Sequence, residues 1–142
     1  MSNNTRKLRL RGIVVATSIA LAAQAAFAAG AQPAPRVDLS AIASDTQFDR
    51  FIVKYRDGSS ETASASALTT ALNRAAGAAV AKRNGRALGL QRLMRLAAGG
   101  ADVVRSDRRL DRVEAESLMQ QLAANPNVEY VEVDQRMYPV LV

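Results

Sequence analysis

Between Asp111 and Asp134 the chain has little choice of conformation. Asp111 is a good helix N-cap, and Glu114, three residues on, is its capping-box partner. Val113, Leu118, Met119 and Leu122 then predict the buried stripe of one helix, which Asn125-Pro126 ends. The next residues, Asn127 to Asp134, read Asn-Val-Glu-Tyr-Val-Glu-Val-Asp and predict a strand. Its period of two puts Glu132 and Asp134 on one face. A helix followed at once by a strand calls for a sheet, which the preceding residues must supply.

Arg50 to Arg56 predicts the first strand: it is β-branched and aromatic, and Asp57-Gly58 stops it. Phe51, Val53 and Tyr55 fall on one side and Ile52 and Lys54 on the other. Both sides are partly apolar, so both are expected to be covered. From Ser64 to Arg83 the period becomes helical, with Leu68, Leu72, Ala75, Ala76, Ala79 and Val80 as the stripe. Lys82 and Arg83 suit the negative end of the helix dipole, and Asn84-Gly85 supplies a stop. Gly77 interrupts this helix, either to allow close packing on a sheet or without structural purpose. Leu90 to Ala97 fits a helix or a strand. Gly99-Gly100 beyond it signals a hairpin into Ala101 to Arg105, so a strand is preferred. The order is β-α-β-β-α-β, which predicts an α+β, ferredoxin-like domain: a four-stranded antiparallel sheet with two helices on one face.

The net charge of +6 suggests nucleic acid less than it first appears to. Arg6, Lys7, Arg9 and Arg11 fall in the first eleven residues, and without them fifteen basic residues face thirteen acidic ones. That basic start, the apolar stretch from Ile13 to Ala23 and the small residues Ala26 and Ala28 predict a signal peptide over 1–28. The cut is expected after Ala28, with Ala31 as a second candidate and an uncleaved anchor as the alternative. The product is then secreted or periplasmic. A flexible linker is expected over 29–47, where Gln32-Pro33-Ala34-Pro35 disfavours helix. The folded domain is expected over 48–136 and a tail over 137–142.

The chain has no Cys and no His. No disulfide can staple it, and every Ser-His, Cys-His and His-metal constellation is excluded. The expectation is a protein that is not an enzyme and that holds no cofactor or metal. A sheet covered by helices on one side leaves a partly apolar face bare, as interaction surfaces do.

With these residues in view, the chain resembles the propeptide, or peptidase-inhibitor prodomain, of secreted subtilisin-like serine proteases. The resemblance spans about Phe51 to Met137. It rests on Phe51-Ile52-Val53-Lys54-Tyr55, on Ala101-Asp102-Val103-Val104 and above all on Asn125 to Asp134. It implies an inhibitor and intramolecular chaperone that docks by its open sheet face on two parallel helices of the protease. Glu132 and Asp134 are then expected to cap those helices' N-termini, where orphan N–H groups and a partial positive charge favour carboxylates; otherwise they merely solubilise an edge strand. Arg136, Met137, Tyr138, Pro139 and Val140 are expected to lie in the substrate cleft as an added strand, with the scissile bond at or after Val140. A frayed end is the alternative. The catalytic motifs of such a protease are absent, so the chain corresponds at most to a prosegment, a stand-alone inhibitor or a precursor fragment. Two other readings stay open. One is a ferredoxin-like nucleic-acid-binding domain, although no RNP-like aromatic run is present; the other is a carboxylate-only metal domain. The expected partner is the protease, with no nucleic acid and, once the signal is removed, no membrane.

Overall fold

In the computed structural model, residues 32–42, 47–83 and 85–135 are described. The expected signal peptide, with Ala26 and Ala28, and the expected tail, with Arg136, Met137, Tyr138, Pro139 and Val140, lie outside the described residues. The elements run β1 (Arg36–Asp38), β2 (Phe48–Tyr55), α1 (Ser60–Ala63), α2 (Ala65–Arg83), β3 (Leu90–Arg95), β4 (Asp102–Leu110), α3 (Arg112–Ala123) and β5 (Val128–Val133).

The expectation of four strands and two helices needs correction. The described residues form one five-stranded mixed sheet, ordered β1-β5-β2-β4-β3, and three helices. The extra strand comes from the segment read as linker: Arg36 to Asp38 pair in parallel with Tyr130 to Glu132. Its prolines set the extended backbone, and Arg56 fixes it, donating to the carbonyls of Pro33 and Pro126. The other neighbouring strands, β2 with β4, β2 with β5 and β3 with β4, are antiparallel. The extra helix, α1, is one short turn.

One face of the sheet carries the core. Phe51, Val53 and Tyr55 of β2 are buried there with Val104 of β4 and Val128, Val131 and Val133 of β5. Leu68, Leu72, Ala75, Ala76 and Ala79 of α2 pack against them, as do Ala115, Leu118, Met119 and Leu122 of α3. Burying one large side chain of this kind is worth about 1.5–3 kcal/mol. Val113 does not belong to the α3 stripe: it is 51 % exposed, and Ala115 takes its place. The shift is physical, since Ala115, Leu118, Met119 and Leu122 follow helical spacing and Val113 lies off that line. Gly77 is also on an outer surface. A Cβ built there meets nothing within 4 Å, so close packing does not explain it.

Local signals read from the sequence decide where elements stop. The Asp111 carboxylate accepts from the Glu114 N–H at 2.8 Å, and Glu114 accepts from the Asp111 N–H at 3.2 Å. Glu114 also takes both terminal nitrogens of Arg108, at 3.0 and 2.8 Å, which ties the end of β4 to the start of α3. Arg108 and Arg109 lie on β4, ahead of that helix. Gly99 and Gly100 both turn with positive φ, 76° and 62°, a conformation that other residues adopt only with strain. Leu90 to Arg95 is a strand, as preferred.

Candidate functional site: the open face of the sheet

No described element covers the second face of the sheet. The ladders define what lies on it. Glu132 of β5 pairs with Ile52 of β2, Ile52 with Val103 of β4, and Val103 with Met94 of β3. On the outer side of β5, Glu132 faces Asp38 of β1. Paired residues share a face, so one row reads Asp38, Glu132, Ile52, Val103, Met94. A second row carries Arg36, Tyr130 and Lys54, and a third carries Arg50, Arg105 and Gln91. This surface is neither apolar nor fully hydrophilic. Ile52 and Tyr130 are half-buried by their neighbours, and Val103 is buried.

The period of two places Glu132 and Asp134 on this face together, but in different settings. Asp134 lies just past β5, and its N–H still donates to the Arg50 carbonyl at 3.1 Å. Its carboxylate sits 2.6 Å from the Arg50 guanidinium, an ion pair not aligned as a hydrogen bond. Glu132, half-buried, has no hydrogen-bond or ion-pair partner among the described residues. Next to it the Asp38 carboxyl is held below its usual range by the Ser40 hydroxyl and by the Ser40 N–H, which it accepts from at 2.9 Å. The β1–β5 edge thus sets Asp38 beside Glu132, with Arg36 two residues before Asp38 on the same face. Lys54 is buried along its stem, and its ammonium reaches the Asp57 carboxylate at 2.6 Å, which lowers that acid's pKa.

Behind the sheet, buried polar groups hold β5 in place. Glu61 of α1, only 7 % exposed, accepts from the side-chain amides of Asn125 at 2.7 Å and Asn127 at 2.9 Å. Burial pushes its carboxyl up, but the bonds from Asn125, Ser60 and Asn127 outweigh that and leave it below its ordinary value. The Asn-Pro-Asn turn is therefore a clamp that fixes where β5 begins. Asp102, fully buried, receives Arg95 through two nitrogens at 3.1 and 3.2 Å. Arg95 also reaches the Thr62 carbonyl at 3.4 Å, which joins β3 to α1. Tyr55, buried between these acids, has its phenol pushed well above the usual range, first by burial and then by Glu61 and Asp102. Sequence reading singled out these segments without their pairings, because a partner 64 residues away leaves no local trace.

Among the described residues no group of acidic side chains is placed to hold a metal ion, and no helix is long and apolar enough to cross a membrane. No family model matches this chain, and no solved structure matches it. A curated relative does: an extracellular protease of Xanthomonas campestris pv. campestris, 48 % identical over 141 residues. That alignment covers 99 % of this chain and 23 % of the relative, so the chain spans about a quarter of the protein it matches.

Proposed function

We propose that this chain is a prosegment-type inhibitor and folding chaperone of a secreted subtilisin-like serine protease, acting within a longer precursor or in trans. The carrying observation is the 48 % identity to a piece, 23 % in length, of a protein named as an extracellular protease. Absence of His and Cys from the sequence fits a partner of the enzyme better than the enzyme itself. In this reading β2 to β5 with α2 and α3 are a ferredoxin-like unit, and β1 is an addition to it. Residues 1–28 direct export and are cut after Ala28, and 48–136 dock, with β1 added to their sheet.

Docking uses the open face. Glu132 brings a carboxylate without a partner among the described residues, suited to the orphan N–H groups of a helix start. Asp134 plays the same part beside it and exchanges part of its contact with Arg50. Arg136, Met137, Tyr138, Pro139 and Val140 then enter the substrate cleft as an added strand. The blocked cleft gives inhibition, and the same surface stabilises the protease's native arrangement during folding.

The test uses the full chain and the mature Xanthomonas enzyme. The chain is expected to inhibit; removing Gln135 to Val142 is expected to abolish most of the inhibition. Equal inhibition by both forms would refute insertion of the tail. Changing Glu132 and Asp134 together to Ala is expected to weaken binding by about 1–3 kcal/mol. No loss of affinity in that variant would remove the helix-capping role.

A further inference from the structure

The segment ahead of β2 follows β5 for longer than their three ladder pairs. Arg36, Val37 and Asp38 pair with Tyr130, Val131 and Glu132, each partner lying 94 positions further on. The same interval of 94 recurs past the end of the ladder, where the Gln135 side-chain amide donates to the Ala41 carbonyl at 2.8 Å. Ahead of the ladder, Arg56 joins the carbonyls of Pro33 and Pro126. The leading segment is thus fastened beside β5 before that strand begins, along it and after it ends. The acceptor at Ala41 is itself held. Val37 and Ala41 pack against the core, and Ile42 is buried in it. The turn between them is closed by the Ser40 N–H on the Asp38 carboxylate and by the Ile42 N–H on the Leu39 carbonyl at 3.1 Å. On the other flank the Asp134 N–H donates to the Arg50 carbonyl at 3.1 Å, and the Gln135 N–H donates to the Val133 carbonyl at 3.0 Å. The chain therefore leaves β5 between β2 and the leading segment, and Gln135 is bound there through its backbone and its side chain. One exposed hydrogen bond adds little to global stability. Its effect is on the direction of the residue that makes it.

The geometry points to a splint: residues 33–42 hold the chain where it leaves β5, and Gln135 is the positioning residue through which they aim the tail at the substrate cleft. This rests on the function proposed above and gives the segment ahead of β2 a part in it. A peptide that adds as a strand to a cleft loses freedom on binding, and less is lost when its root is already extended and fixed. Gln135 touches no protease group in this account and acts only through the residues after it. The leading segment must then stay on β5 while the protease is bound.

The experiment measures inhibition constants of the full chain against the mature Xanthomonas enzyme. Gln135→Met keeps the length of the side chain and removes its donor. It is expected to raise the inhibition constant about fivefold with thermal melting unchanged. Gln135→Lys, which restores a donor, is expected to stay near the unaltered chain. In a chain lacking Met137 to Val142, whose residual binding is measured directly, Gln135→Met is expected to have no further effect. An equal effect with and without the tail would make Gln135 a local contact and overturn the proposal. A second variant tests the leading segment. Val37 and Val131 are paired on the side away from the docking face, and the chain has no other Cys to interfere. Neighbouring strands lie about 4.8 Å apart, within the span of a disulfide. Oxidised V37C/V131C is expected to inhibit at least as well as the same protein reduced. Inhibition lost on oxidation and regained on reduction would show that the segment must leave β5, and the splint would be refuted. If Gln135→Met inhibits like the unaltered chain, the splint fails while the prosegment reading stands. If the unaltered chain does not inhibit at all, both fail.

Discussion

The two faces of the sheet are built from the same strands and answer different demands. On the helix side, Phe51, Val53, Val104 and Val131 are almost wholly withdrawn from water, and the glutamate at the edge of that layer, Glu61, has its oxygens occupied by two asparagines and a serine. On the open side the residues one position along are Ile52, Val103 and Glu132. Ile52 and Glu132 are only partly sheltered, although Val103 is buried, and Glu132 has no partner among the described residues. A polar group that is saturated stabilises the fold, whereas one left idle at the surface is available to something else. The first face therefore explains why the chain folds, and the second suggests what the folded chain is for.

The contrast breaks most readily at β2. Phe51→Ala is expected to cost about 3–5 kcal/mol in urea unfolding, because it empties a fully buried site. Ile52→Ser, one residue away on the other side, is expected to cost under about 1 kcal/mol. Equal losses would mean that the open side is structural after all. Next in size is the glutamate pair. Glu61→Gln is expected to lose about 2 kcal/mol near neutral pH, while Glu132→Gln changes stability little. The sign with pH follows from the depressed carboxyl of folded Glu61. In the pH range between its folded and unfolded pKa values the unfolded chain binds more protons, so stability increases with pH there. The contribution is complete above the ordinary glutamate range, about pH 4.3, and is lost as pH falls through the lower folded value. Urea midpoints of the two proteins at pH 7 and pH 3 should accordingly converge at the lower pH. The smallest effect is on the outer surface of α2, where Gly77→Ala is expected to stabilise by about 1 kcal/mol, read as a higher melting temperature. A loss there would show that the glycine is needed for a contact outside the described residues.

Much of this was legible in the sequence wherever the signal is local. The Asp111–Glu114 box, the α2 stripe, the Gly99-Gly100 hairpin and the placing of Glu132 and Asp134 on one face all follow from spacing alone. What was misread depends on partners far along the chain. A three-residue strand among prolines has too few side chains to show a period, so β1 passed as linker. Val113 fitted a rough helical count, but burial is decided by which side of α3 meets the sheet, and Ala115 meets it. The β3–β4 ladder also slips by one residue between Arg92 and Met94, a bulge hidden for a related reason. An extra residue breaks the period of two, which is why Leu90 to Ala97 looked as much like a helix as a strand. The site was legible in its acids, Glu132 and Asp134.

The strand added at the start of the domain has one more effect. Because β1 pairs with it on one side and β2 on the other, β5 is an interior strand with no free edge. A slide of one position along either neighbour would turn Val131 and Val133 out to water and drive Glu132 into the hydrocarbon layer. Such a misalignment must now rupture two ladders together, so the short leading strand acts as a proofreader for the segment whose acids must point outward.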